Sequence, residues 1–175
     1  MESALVSLEL QLRGAPAWLS PHAPLLNELL SDARARSIVE ALNAARDGRL
    51  PDIRFVEQSA LPTEESYEGF IARTRCVPTR ENLHDLVNGV MWLSYPQTKR
   101  RLNALQAAEI ERHGTSGPRG ALRDALTLFD ENAAILSAPV EFVDALRRRD
   151  WQSLFIAQRA RWRSANFMLF GHALL

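Results

Sequence analysis

Cysteine occurs once in the 175 residues, at Cys76. A lone thiol excludes an internal disulfide and any multi-cysteine zinc site, and it suits a reducing compartment. Lysine is equally scarce, since Lys99 stands alone beside twenty arginines. No stretch approaches the ~20 consecutive apolar residues that span a bilayer. The opening Met1-Glu2-Ser3 lacks the basic start and apolar run of a signal peptide. The expectation is a cytoplasmic protein with no membrane partner. Net charge is missing too, with 21 basic against 21 acidic residues. The balance is uneven, because residues 1–70 hold eleven acids and six arginines while the rest holds fifteen bases and ten acids. A nucleic-acid surface would be sought in the basic half, at Arg147-Arg148-Arg149 and at Arg159, Arg161 and Arg163. Phosphate binding at physiological salt needs a surplus of positive charge that the whole chain does not have. The expectation is that the two oppositely charged halves face one another or that these arginines lie on solvated helix faces, and nucleic acid is not the expected partner.

What the chain does have is globular composition, 46% hydrophobic and 24% charged. Its length suits one domain over 1–175, large enough for folding to bury roughly 70% of the unfolded chain's surface. Residues 1–24 read as an irregular segment punctuated by Pro16, Pro21 and Pro24. From Leu25 the apolar spacing is helical through Leu42, and Asp47-Gly48 ends it. Ile53 to Val56 is a strand candidate, and Glu64 to Thr74 a helix. Thr79 is read as the N-cap of a helix running to Tyr95, where Pro96 stops it. Apolar residues cover nearly all its faces, the mark of a buried central helix. A further helix spans Thr98 to His113, and the glycine-rich stretch Gly114 to Gly120 is a loop. Ala125 to Ser137 reads as a β-hairpin turning at Asp130-Glu131-Asn132. Pro139 opens another helix and Asp150 caps the next. Phe167 to Phe170 is a strand or buried turn, and a last helix starts at Gly171. Trp92, Trp151 and Trp162 are expected in the core, as is Cys76. The fold class is therefore α+β, a helix-dominated single domain with a few short strands.

Several blocks carry a resemblance. They are Tyr67-Glu68-Gly69-Phe70-Ile71, Val77-Pro78-Thr79-Arg80-Glu81-Asn82-Leu83-His84-Asp85-Leu86-Val87-Asn88, Trp92-Leu93, Pro96 and Lys99. Arg119 to Asn132, Asp150-Trp151, Leu154-Phe155 and Phe170-Gly171-His172-Ala173-Leu174-Leu175 complete the set. This pattern resembles a proteobacterial domain-of-unknown-function family, number three thousand and twenty-five in its series, over about two thirds of the chain. The resemblance implies no activity, substrate or cofactor. Two departures stand out. The family pattern Asp-Glu-Asn-Gly ends here in Ala133, which suits a left-handed turn less well than glycine. Relatives also continue beyond the Gly-His-Ala-Leu-Leu block, so the final helix is expected to be incomplete.

Physical reasoning points to one neighbourhood. His84, Asp85 and Asn88 sit on the otherwise apolar central helix, and buried polar groups need partners. Arg80, Arg123 and Asp124 are natural partners. The central helix, the Arg123-Asp124 turn before the hairpin and the Gly171-His172 turn are expected to converge, with Arg80 or Arg123 pairing Asp85 or Asp124 and His84 near His172. The candidate catalytic residues are His84, Asp85, Asp124 and His172. The candidate binding residues are Arg80, Asn88, Lys99, Arg123, Asp130 and Glu131. His84, Asp85, Asp124, Asp130, Glu131 and His172 are also of metal-ligating type, so one alternative is a metal-dependent hydrolase of small molecules. The other reading is a binding or structural protein whose network holds the fold together. No nucleophile elbow, phosphate-binding loop or dinucleotide fingerprint is present. The residues leave metal, cofactor and partner unknown. An accessible concave pocket or a sealed network is what distinguishes the two readings.

Overall fold

Helical spacings dominate the sequence, and the computed structural model, which describes residues 20–46, 48–114 and 120–174, is a set of helices with two pairs of short strands. The helix-rich α+β class is as expected. By contact the chain divides into two compact units, 1–133 with 170–175, and 134–169.

In the first unit, α1 (Ala23–Ala35) and α2 (Ile38–Ala45) share one apolar stripe. Leu26, Leu29, Ile38, Ala41 and Leu42 from it are fully buried or nearly so. Ser37 restarts the helix with a capping box. Its Oγ accepts from Glu40 N at 3.1 Å, and Glu40 Oε2 accepts from Ser37 N at 2.9 Å. Strand β1 (Arg54–Glu57) pairs in parallel with β2 (Cys76–Thr79), Phe55 opposite Val77. The crossover between them carries α3 (Tyr67–Thr74), whose first turn is closed by Ser66 Oγ accepting from Gly69 N. Next comes α4 (Leu83–Ser94), in which every residue from Asp85 to Leu93 is buried, as the all-round apolar pattern requires. The long α5 (Pro96–His113) follows with its proline in the first turn, and Gly114, at φ 73°, ends it.

Three expectations are corrected here. Thr79 is not the cap of α4. It is the last residue of β2, its hydroxyl bonds to Val77 O, and Asn82 takes the cap by accepting from Asp85 N at 2.8 Å. Residues 125–137 are not a hairpin. They begin as α6 (Ala121–Asn132), on which Leu122, Leu126 and Phe129 fall at helical intervals, and Ala133 then leaves in an extended conformation. A tight two-strand turn needs a left-handed residue. No residue described between 120 and 137 has positive φ, and Ala133 fills the place where glycine would have supplied it. The later half of the stretch is a strand, β3 (Ala134–Ser137). Its antiparallel partner is the distant β4 (Asn166–Leu169), which confirms strand over 167–169. The start near Gly171 is a single 3₁₀ turn, His172–Leu174, rather than an α-helix. Expectations for residues 1–19 and for most of the 114–120 loop fall outside the described residues.

The second unit holds β3, α7 (Val140–Arg147), a π-type turn at Ser153–Ala157, a 3₁₀ turn at Arg159–Ser164 and β4. Phe142, Ala145 and Leu154 form its small core. Asp150 caps as expected, accepting from Ser153 N at 2.9 Å. Of the three tryptophans expected inside, only Trp92 is buried. Trp151 is about half exposed and stacks on Phe155, which stacks on Trp162. The region around the π-type turn is too short to cover three large rings, so they cover one another.

The C-terminal turn depends on a glycine. A Cβ at Gly171 would lie 2.3 Å from Glu131 O and 2.5 Å from Asn132 N, and backbone atoms cannot swing aside as a side chain can. Gly171→Ala should cost about 2 kcal/mol through overpacking and lower the melting temperature by on the order of 5 °C. An unchanged thermal unfolding curve would show that the turn is free to shift.

Candidate functional site

Lys99 and Gln106 place polar groups on the buried stripe of α5, with Leu102 between them. A buried ammonium must find acceptors. Lys99, 3% exposed, donates to Asp130 Oδ1 at 2.6 Å and to Asn88 Oδ1 at 2.9 Å, and its Nζ lies 5.5 Å from the Trp92 ring centre. An ammonium has donors only, so Asn88 must turn its oxygen toward it. Asn88 Nδ2 then donates to Tyr67 Oη at 3.1 Å. Helices α3, α4, α5 and α6 are thereby tied through one chain of hydrogen bonds. Burial pushes the Lys99 ammonium below the usual lysine range, and Asp130 pulls it part of the way back. Burial also raises the Tyr67 phenol far above its ordinary value, which keeps it neutral.

A second cluster lies at the start of α4. Arg80 makes a two-pronged contact with Asp85, Nε to Oδ2 at 3.1 Å and Nη2 to Oδ1 at 3.0 Å, and the Arg80 backbone N–H donates to Oδ2 at 2.7 Å. Burial alone would raise the Asp85 carboxyl. The hydrogen bonds from Arg80 and His84 outweigh it and hold the group below the usual carboxylate range. His84 Nδ1 sits 3.1 Å from Asp85 Oδ1. An ionised carboxylate only accepts, so Nδ1 carries the hydrogen of that contact. His172 repeats the arrangement, with Nδ1 2.9 Å from Asp130 O. A carbonyl likewise only accepts, which leaves the Nε2 of neutral His172 as a bare acceptor. Burial, reinforced by the nearby Lys99 charge, lowers the His172 pKa and keeps it neutral. The two imidazoles meet edge to face with centroids 4.7 Å apart, although 88 positions separate them in sequence.

These groups line one cavity of about 440 Å³ within the first unit, which also takes in Glu68, Asn103, Gln106, Thr127 and Glu131. It opens on the side of Arg80 and His84, whose side chains are 58% and 50% exposed, while Lys99 and His172 are deeply buried. The cavity gathers the candidate residues Arg80, His84, Asp85, Asn88, Lys99, Asp130, Glu131 and His172. The central helix thus meets the His172 turn as expected, but the third expected member, the Arg123-Asp124 turn, does not join them. Arg123 and Asp124 are not among the lining residues. Asp124 lies exposed in the first turn of α6, two turns away from Asp130. Lys99 pairs with Asp130 instead, and Arg80 with Asp85. Among the described residues, no three His, Cys, Asp or Glu side chains are grouped to hold a metal ion. Sequence reasoning missed Tyr67, Trp92 and Gln106 as site residues. The signal for Gln106 was its i+7 spacing from Lys99 through buried Leu102.

The buried imidazole gives a pH signature with a definite sign. With its folded pKa below the ordinary 6.5, His172 takes up a proton in the unfolded chain first as pH falls. Its contribution is present above about pH 6.5 and is lost as pH drops through the folded pKa. The wild type should therefore lose more stability than His172→Asn between pH 7.5 and 5.0 in urea unfolding. Parallel losses in the two proteins would show that His172 is not held neutral.

No curated protein and no solved structure matches the chain. A family model does match residues 53–175, which takes in every residue lining the cavity. The chain accordingly belongs to the family described as "Protein of unknown function (DUF3025)".

Proposed function

We propose that the protein binds a small polar molecule in the cavity lined by Lys99, Asp130, Asn88, His84 and His172. The observation that carries this reading is a buried ion pair on the wall of an open cavity. A buried ion pair is a poor device for stability, because well-packed apolar residues of similar volume are often as good or better. Titratable groups whose protonation is shifted by burial and by each other gather at functional sites. A sealed structural network would need no access to water, whereas this one has an open side at His84 and Arg80. The volume of about 440 Å³ suits a metabolite-sized ligand.

The metal-dependent hydrolase alternative gains no support from the donor geometry, since no three His, Cys, Asp or Glu side chains among the described residues are grouped to hold an ion, and Asp85 and Asp130 are engaged by Arg80 and Lys99. The cavity instead offers fixed hydrogen-bonding groups that recognise a ligand by shape and polarity. Among the described residues, no helix is long and apolar enough to cross a membrane. The single cysteine supports placing the protein in a reducing cytoplasm.

Paired substitutions separate function from stability. Lys99→Met alone strands the Asp130 carboxylate and should cost about 3 kcal/mol. Lys99→Met with Asp130→Leu should recover at least half of that loss. Thermal-shift screening against amino acids, amines, sugars, dicarboxylates and nucleotides should give a ligand for the wild type and none for the double variant. A double variant as unstable as the single one would mean that the pair serves the fold, and would overturn the binding reading.

A further inference from the structure

Which ligand the cavity takes can be argued from the groups that its own network leaves over. Two cations, Arg80 and Lys99, face four carboxylates, those of Glu68, Asp85, Asp130 and Glu131. Each cation is already matched, Arg80 by Asp85 and Lys99 by Asp130. Glu68 and Glu131 remain, both lining the cavity and only partly exposed. Neither side chain has an ion-pair or hydrogen-bond partner among the described residues.

Independent of the charges, two buried side chains on the cavity wall lack hydrogen-bond partners, the Trp92 indole N–H and the Gln106 amide. Gln106 is 6% exposed and lines the cavity, yet its amide makes no hydrogen bond to any described residue. An unmatched buried amide is costly unless something else in the cavity satisfies it. The histidines add to the same side of the balance. His172 donates through Nδ1 to the Asp130 carbonyl, so its Nε2 is left to accept. The charged groups left free are both acceptors, the Glu68 and Glu131 carboxylates, and the His172 Nε2 and the Gln106 oxygen add to them, against the uncharged donors of Trp92 Nε1 and the Gln106 amide nitrogen.

Building on the proposal that the cavity is a ligand site, we infer that its ligand is a small molecule carrying a protonated amine, held by Glu68 and Glu131. An ammonium supplies three donors and one positive charge, which meets the acceptors and one of the two excess negative charges, and a diamine meets both. A partly dehydrated cavity strengthens that attraction relative to open water. An anionic ligand would meet the opposite arrangement, with both cations already engaged and two free carboxylates repelling it. A neutral polyol would satisfy hydrogen bonds and leave the charge excess unmatched.

The test is isothermal titration calorimetry and thermal shift on the full chain. The probes are 1,4-diaminobutane, agmatine and lysine on one side, and succinate, inorganic phosphate and ribose on the other. At least one amine should bind and raise the melting temperature by on the order of 5 °C near saturation. Glu131→Gln and Glu68→Gln should each weaken it about tenfold. Both variants should fold with unchanged circular dichroism, because neither carboxylate pairs with another residue. Added salt should weaken amine binding as well. Binding of succinate or phosphate in preference to amines, lost in the Lys99→Met/Asp130→Leu variant, overturns the amine inference and leaves the ligand-site reading standing. Binding of ribose alone does the same. Amine binding that is unaffected by both glutamine substitutions also overturns the inference. No binding by any probe, to wild type or variants, counts against both.

Discussion

One buried cation sets the terms for the first unit. Lys99 sits on α5 where a helix-packing stripe would ordinarily carry leucine, and its ammonium must be matched by oxygen from neighbouring helices. Asp130 from α6 and Asn88 from α4 do this, and Asn88 in turn fixes Tyr67 on α3. A hydrophobic contact at that point would tolerate small slides between helices. An ammonium bonded at 2.6 and 2.9 Å does not, so the register of four helices is specified together with the shape of the cavity. The last turn of α6 is further held by the close approach of Gly171, which brings His172 to Asp130 O. Position and tautomer of that histidine are thus fixed by backbone, and its neutral state by burial.

The fold class, the apolar centre of α4 and the strand near Phe55 were legible in the sequence because each follows from local periodicity. The stretch from Ala125 to Ser137 was not. Ala-Leu-Thr-Leu-Phe satisfies both a two-residue and a 3.6-residue period. What decides it is the missing left-handed residue at position 133 and the docking of Phe129 on Phe170, 5.2 Å between ring centres. The latter is a contact across 41 positions that no window contains. The cap of α4 was displaced by three residues because Thr79, Asn82 and Pro78 all carry start signals, and only the buried β2 pairing shows that the chain is still extended at Thr79.

The site was legible in outline for a different reason. Polar residues on an apolar helix must be satisfied by something, and few residues were available to do so. That argument found His84, Asp85, Asn88 and their meeting with His172. It chose wrongly between Asp124 and Asp130, since both lie on α6 and only its packed face distinguishes them. Once 125–137 is taken as a hairpin, Asp130 belongs to a turn and its bond to Lys99 cannot be foreseen. The error in the element and the error in the pairing are the same error.

The scarcity of lysine offers the most direct check on the role given to Lys99. In protein labelled with ¹⁵N-lysine, the side-chain spectrum contains a single resonance, and no assignment is needed. A charged, buried and doubly hydrogen-bonded ammonium should show slowly exchanging N–H protons at neutral pH. It should titrate below the ordinary lysine value of 10.5, and its protection should vanish in Asp130→Asn. A freely exchanging ammonium titrating at the ordinary value would place Lys99 in solvent and contradict the account.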